Sequence, residues 1–215
     1  LRIDQATRAL ELDRQAPALA GQQRRTVIPG QAQPPRQLML TSRRAFQLKA
    51  HPTLTNISRP LHESSSLAVL DDNEVLYVAR SAASRIMSVS LNTGSRLPAY
   101  CTSLGRVLLA NLDEEAFDAY LAQVKLRAYT ERTVVSAERL MEILAGVRKA
   151  DFAMVEEELE VGLRSIAVPV RGASGTVHAA LNIGAQATRV SATQLVEDFL
   201  PVLRQGAAEL SLLLP

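Results

Sequence analysis

The sequence predicts an α+β fold in which helices cover an antiparallel sheet. Beyond residue 60, segments with strand character come first, then helical segments, then a second pair of strands and a final helix. Short turns join consecutive strands, so antiparallel pairing is the expected arrangement. Hydrophobic residues make up 47% of the chain, which is enough for a folded core rather than a disordered polymer.

The first three strands are predicted between residues 66 and 91. Residues 66–70 and 74–79 are strand-like runs joined by the turn residues Asp71, Asp72 and Asn73. Residues 86–91 alternate apolar and polar side chains, as a half-buried strand does.

Two helices are predicted next. Acidic residues at 113–115 open a helix that continues to residue 121, because carboxylates are favourable at a helix N-terminus. Residues 136–139 open a second helix, which carries an apolar face made of Leu140, Ile143, Leu144 and Val147.

The last elements are a strand pair and a long helix. Residues 163–170 and 176–183 flank a turn at 172–175, and Pro169 is expected at a sheet edge or strand end because its nitrogen cannot donate to a ladder. Ser191 is expected to cap an amphipathic helix that runs toward residue 214 and that Pro201 kinks.

Charge divides the chain into two unequal parts. Residues 1–60 carry 10 basic and 3 acidic side chains, a net +7, whereas residues 61–215 carry a net −5. A basic front segment ahead of an acidic domain suits a polyanion at one end, and a solvated arm without a partner is the alternative. Residues 21–35 have the composition of a loop or linker.

Histidine and glutamate residues, which often serve in catalytic sites, do not occur here in a recognisable catalytic or metal-binding pattern. His51, His62 and His178 show no metal-ligand spacing and are expected at the surface or in packing roles. The acids Glu156, Glu157, Glu158 and Glu160 indicate a solvated face. We therefore predict no catalytic site, no metal and no cofactor.

Cysteine usage and hydropathy bear on the compartment. The single cysteine, Cys101, excludes an internal disulfide, and we expect it to be a small buried residue. No secretion signal is visible at residue 1, and no apolar run approaches the roughly 18 residues of a membrane span. These features predict a cytoplasmic protein without a membrane partner.

Residues 94–110 form the most informative segment. Gly94 and Pro98 predict a loop, and Thr102 stands where a helix N-cap belongs, ahead of a run of apolar residues. The amides of Ser103, Leu104 and Gly105 would be first-turn donors, which attract carboxylates. An ordinary capped surface helix is the alternative.

Residues 94–110 also resemble the hallmark segment of the IclR family of bacterial transcriptional regulators, in which a Leu-Pro loop leads into a Thr/Ser-x-x-Gly-Lys/Arg helix start. Residues 157–170 resemble its Glu-rich segment followed by Gly-x-Arg and Ala-x-Pro-Val, and residues 175–183 resemble the hairpin that follows. The resemblance covers roughly residues 60–214. The amino-acid sequence of residues 95–106 most resembles the subgroup of the PcaR, PcaU and PobR type, which controls aromatic-acid breakdown.

The resemblance implies a GAF-like effector-binding and oligomerisation domain at residues 51–215, after a basic segment at 1–50. It implies an effector pocket lined by Ile86, Val89, Leu97, Thr102, Ser103, Leu104, Gly105, Val155, Leu163, Ser165 and Asn182. Some relatives have an acidic side chain where Val155 stands, so a larger and less polar effector is expected here, an aromatic or related carboxylic acid.

The resemblance further implies a homodimer or tetramer that binds promoter DNA through a winged helix-turn-helix at its front. Such a domain needs on the order of 70 residues, and only about 40 precede the Leu-Thr-Ser-Arg-Arg segment at 40–44. A shortened chain, missing residues and a divergent front end are all compatible with this. A stand-alone sensor without DNA binding is the second hypothesis, and an enzyme that uses Cys101 as nucleophile is the third.

Overall fold

The computed structural model describes residues 36–83 and 91–214, with side chains from residue 48 onward. Within these ranges, six strands form one sheet: β1 (Ser64–Asp71), β2 (Glu74–Ser81), β3 (Arg96–Pro98), β4 (Ala153–Glu156), β5 (Leu163–Arg171) and β6 (Val177–Gln186). The strand order is β3-β2-β1-β6-β5-β4, and every neighbouring pair is antiparallel. The predicted α+β fold with an antiparallel sheet is confirmed.

The described helices are α1 (Arg36–Leu61), α2 (Ser103–Ala110), α3 (Glu114–Gln123), α4 (Ala137–Ala150) and the C-terminal helix α5. Helix α5 begins with Ala192–Gln194, passes through a π-helical turn at Leu195–Phe199 and ends with Leu200–Ser211. Pro201 lies two residues after the end of that turn, where an irregular ladder tolerates its missing N–H. None of the described helices is long and apolar enough to cross a membrane.

Side-chain oxygens cap the starts of four helices. Thr102, Asp113, Ser136 and Ser191 each accept a hydrogen bond from the backbone amide three residues further on. Such caps satisfy donors that a helix start otherwise leaves without partners. The helix starts predicted from these residues are confirmed.

The sheet separates two hydrophobic clusters. On one face, apolar side chains of α1 and α5 pack against Leu67, Ile166 and Leu181. On the other face, which we call the α2 face, helices α2, α3 and α4 pack against Ala68, Ala167 and Ala180. Because side chains alternate along a strand, neighbouring residues of β1, β5 and β6 point to opposite clusters.

The turns and strands agree with the sequence in most places. A two-residue turn joins β1 to β2, with Asp72 at φ +56°. Pro169 lies on the stretch of β5 beyond the end of β4, where the strand has a neighbour on one side only, as expected.

Two of the observed strands are not predicted from the sequence. The segment predicted as a loop around Gly94 and Pro98 contains β3, which pairs with β2, and β4 was not predicted at all. Both strands are short, so their periodicity is weak and long-range pairing decides their conformation. The predicted strand at residues 86–91 lies outside the described residues except for Leu91, as do the predictions for residues 1–35.

Candidate functional site

Helix α2 packs against alanine side chains of the sheet. Ala68 of β1, Ala153 of β4, Ala167 of β5 and Ala180 of β6 are buried in the cluster that contains this helix. Small side chains allow the helix backbone to approach the sheet closely. All eight residues of α2 are buried, so its N-terminus faces the interior instead of bulk water.

The start of α2 is held by Thr102 and Gly105. The Oγ1 atom of Thr102 accepts a hydrogen bond from the Gly105 amide at 3.1 Å and donates to the carbonyl of Pro98 at 3.1 Å. A Cβ at Gly105 would overlap the backbone of Ala99, so the loop and the helix touch at this point.

The first-turn amides are therefore not equivalent. The Gly105 amide is engaged by the cap, whereas those of Ser103 and Leu104 form no hydrogen bond with another described residue. An anion at this helix start would meet two free donors instead of the three that the sequence suggests.

A row of polar side chains crosses the α2 face. Asn182 of β6 lies directly opposite Ser66 of β1, which lies directly opposite Arg80 of β2. The Nη1 atom of Arg80 donates to the Ser66 hydroxyl at 3.0 Å, so the guanidinium is directed along the row toward Asn182. We call these three residues the polar row.

Several polar atoms near this row lack partners. The hydroxyl of Ser103, the Oδ1 atom of Asn182 and the Nε atom of Arg80 are buried and form no hydrogen bond with a described residue. Leaving a buried polar group unsatisfied costs roughly 1–3 kcal/mol. Such groups recur in native structures where a ligand or water completes them.

Apolar residues border the polar row. Val155 of β4 lies opposite Ser165 of β5, and it is buried although it belongs to neither hydrophobic cluster. Leu97 of β3 is partly buried against the α2-face cluster. Leu163, the first residue of β5, is half-buried. Ile86 and Val89 lie outside the described residues.

The structure brings most of the predicted site residues to one face of the sheet. Leu97, Val155, Ser165 and Asn182 lie on strands of the sheet, and Thr102, Ser103, Leu104 and Gly105 form the helix start packed over it. Whether these residues contact a ligand stays a prediction.

A buried ion pair joins α2 to the segment that follows β4. The Arg106 guanidinium contacts Glu158 with both terminal nitrogens, Nη1 to Oε1 at 2.7 Å and Nη2 to Oε2 at 2.8 Å. The side chains of this pair are 3% and 9% exposed. The Nε atom of Arg106 donates to the Tyr100 carbonyl, and the Val134 amide donates to Glu158.

The expectation of a solvated acidic face is therefore wrong for Glu158. Its carboxylate turns inward because a guanidinium and a backbone amide offset the cost of burying a charge. Glu156 is also engaged, in an ion pair with Arg164 at 2.6 Å.

Catalytic groups are not assembled in the described part of the chain. Cys101 is buried, as expected, and burial raises the pKa of its thiol to about 12, which opposes nucleophilic chemistry. The three histidines are exposed, also as expected. No group of three His, Cys, Asp or Glu residues with metal-binding geometry occurs among the described residues.

Comparison with known proteins identifies the family. The family model "Bacterial transcriptional regulator IclR C-terminal" matches residues 39–212. The chain belongs to this IclR C-terminal family. The resemblance noted from residues 94–110 and 157–183 is thereby confirmed.

Relatives of known function share the IclR C-terminal domain. The Pca regulon regulatory protein of Pseudomonas putida is 45% identical over 164 residues, which are 76% of this chain and 56% of that protein. The p-hydroxybenzoate hydroxylase transcriptional activator of Acinetobacter baylyi is 40% identical over 150 residues, 67% of this chain and 55% of that protein. The chain thus spans about half the length of these curated relatives.

Solved structures agree with the IclR-type fold. A putative transcriptional regulator from Rhodococcus sp. RHA1 gives a TM-score of 0.78 at 42% identity, covering 83% of this chain and 74% of that one. The inducer-binding domain of PobR from Acinetobacter, a double mutant in complex with 3-hydroxybenzoic acid, gives 0.73 at 36% identity over 77% and 97% of the two chains.

Two members of the polar row in this IclR-type domain, Arg80 and Ser66, are not predicted as site residues from the sequence. Ser66 begins a predicted strand without a predicted role at the site, and Arg80 lies just beyond the predicted strand at 74–79. One feature of the sequence could have drawn attention to Arg80. This charged residue directly follows the apolar, strand-like run Val75-Leu76-Tyr77-Val78-Ala79. The register that places it beside Ser66 and Asn182 joins three segments that are far apart in sequence.

Proposed function

We propose that this chain is the effector-binding part of a transcriptional regulator of an aromatic-acid catabolic pathway, of the protocatechuate, hydroxybenzoate or β-ketoadipate type. The observation that carries the proposal is the group of unpartnered buried polar atoms on Ser103, Asn182 and Arg80 beside apolar side chains. A site of this kind binds a small molecule with an apolar body and a few polar groups. The relatives that regulate the pca and p-hydroxybenzoate genes support the aromatic-acid class.

The proposed ligand lies on the α2 face with its carboxylate at the helix start. The free amides of Ser103 and Leu104 would accept the acid, and Leu97, Val155 and Leu163, with Ile86 and Val89, would contact the ring or chain. The Ser165 hydroxyl and the Asn182 amide would bond to ring hydroxyls. Charge-assisted hydrogen bonds of this type contribute roughly 1.5–3 kcal/mol each.

Changing Val155 to Asp tests the effector site. The new carboxylate would lie buried opposite Ser165 and would repel an acidic ligand, so we expect affinity to fall by at least about tenfold. Isothermal titration calorimetry with 3-hydroxybenzoate, 4-hydroxybenzoate, protocatechuate and β-ketoadipate measures the effect.

The control is Val135→Asp, which makes the same chemical change at a residue that is 49% exposed. This variant should bind as the parent does. Equal affinity of parent and Val155→Asp would move the site elsewhere, and failure of the parent to bind any of the four acids would contradict the proposed ligand class.

We propose further that the native protein is an oligomer, a dimer or a tetramer, and that it binds promoter DNA through the part that includes residues 1–50. The +7 charge of residues 1–60 and the family support this. Helix α1 continues through residue 50 into the second proposed domain, residues 51–215. Two-fold related chains would recognise two half-sites.

Sedimentation of the full-length native protein with a fragment of its own promoter tests both parts of this proposal. We expect a species of at least two chains and a complex that dissociates steeply as salt rises, because phosphate contacts release counterions. A monomer, or an absence of DNA binding even at low salt, would favour the alternative of a stand-alone small-molecule sensor. The relatives are regulators and Cys101 is buried, so we propose binding rather than catalysis.

A further inference from the structure

Arg80 carries a positive charge on the α2 face and has no carboxylate partner among the described residues. Its guanidinium donates one hydrogen bond, to Ser66, and it forms no ion pair with a described residue. Residues 84–90, which follow β2 and lie outside the described part, include no Asp or Glu. Other described arginines near the sheet differ, since Arg96, Arg106, Arg164 and Arg171 each pair with an acid.

The surroundings of Arg80 make this charge costly. Arg80 is half-buried with its Nε atom fully buried, and burial lowers the pKa of Arg80 from its ordinary value. An arginine nevertheless stays protonated in proteins, so the cost remains as a partly buried charge without a described counter-charge. A bound anion would remove that cost, because a guanidinium pairs with a carboxylate in a bidentate geometry.

The position of Arg80 also suits a ligand on the α2 face. Neighbouring strands are about 4.8 Å apart, so the Cα atoms of Arg80 and Asn182 are separated by about 10 Å with Ser66 between them. An arginine side chain spans much of that gap, and its bond to Ser66 directs it along the row.

We propose that Arg80 binds the carboxylate of the effector and makes the site selective for acids over neutral analogues. The Nε atom, which has no partner among the described residues, and one terminal nitrogen would hold the two carboxylate oxygens. Ser66 positions the guanidinium, and the Asn182 Oδ1 atom accepts from a ligand hydroxyl. The inference rests on the proposed function and assigns the acid a cationic partner in addition to the amides of Ser103 and Leu104.

Calorimetry of the whole chain with Arg80→Gln and Arg80→Lys tests the assignment. The probes are 3-hydroxybenzoate, 4-hydroxybenzoate, protocatechuate and β-ketoadipate, with 4-hydroxybenzamide as the neutral analogue. We expect Arg80→Gln to weaken acid binding by about tenfold to a hundredfold and to reduce the preference for acid over amide. Arg80→Lys keeps the charge and should recover part of the affinity.

The matched control is Arg139→Gln, which removes an equal charge from an exposed side chain of α4. It should bind all probes as the parent does, and thermal unfolding verifies that each variant is folded. If the parent binds an acid and Arg80→Gln binds it equally well, or loses acid and amide to the same extent, the role of Arg80 is wrong while the proposed function stands. If the parent binds none of the acids, both fail.

Discussion

Replacing Glu158 by alanine is expected to lower the free energy of unfolding by about 3–5 kcal/mol. The change leaves the Arg106 guanidinium buried without its carboxylate, and it removes the acceptor of the Val134 amide. An uncompensated buried charge is among the most costly single changes in a folded protein. Urea unfolding followed by circular dichroism measures the effect.

The chain offers a closely matched control for Glu158. Glu142 forms an ion pair with Arg139 at 2.7 Å, the same distance as the Arg106–Glu158 contact, but its side chain is 65% exposed. We expect Glu142→Ala to change stability by less than about 1 kcal/mol, because exposed pairs contribute little. Equal losses in the two variants would show that burial of the Arg106–Glu158 pair does not control its contribution.

Replacing Gly105 by alanine should destabilise the protein by about 3 kcal/mol, the upper end of the usual cost of overpacking. The added Cβ would overlap the backbone of Ala99, which cannot move aside as a side-chain terminus can. Helix α2 would shift away from the loop that contains Thr102, so effector affinity should fall as well. Thermal unfolding and calorimetry together measure both consequences.

Gly146→Ala is the matched control for this change. Gly146 lies within α4, and a Cβ there would have no atom within 4 Å. Alanine favours a helix over glycine by about 0.5–1 kcal/mol, so this variant should be slightly more stable than the parent. Destabilisation by both substitutions, or by neither, would contradict the close approach of Gly105 and Ala99.

The local parts of this fold could be predicted because the interactions behind them span only a few residues. The caps at Thr102 and Ser136 require an oxygen and an amide three positions away, so they are visible in the sequence. The turn after β1 is similarly local. The motif at residues 94–110 also predicted the family, because it is an ordered set of residue types within one short segment.

Most of the described residues predicted for the site lie on one face of the sheet, and their contact with a ligand stays a prediction. The helix start and the strands that carry Val155, Ser165 and Asn182 come together as expected, on one face of the sheet. The sequence does not predict that Arg80 and Ser66 lie beside Asn182, because strand register brings them together and residue types within each strand do not specify it. Gly105 was assigned a free amide, whereas the cap uses it.

The sequence by itself determined the α+β class, the helix starts and membership of the IclR-type family, because these depend on periodicity, short-range hydrogen bonds and an ordered motif. Only the tertiary structure decided which charged side chains are buried and which of them form ion pairs. Glu158 pairs with an arginine 52 residues away. Arg80 forms no ion pair with any acid in the described part of the chain, although Asp71 and Glu74 precede it closely and pair with Arg96. Burial and register set these outcomes, since a charge in a low-dielectric interior is controlled by whichever groups the fold brings beside it.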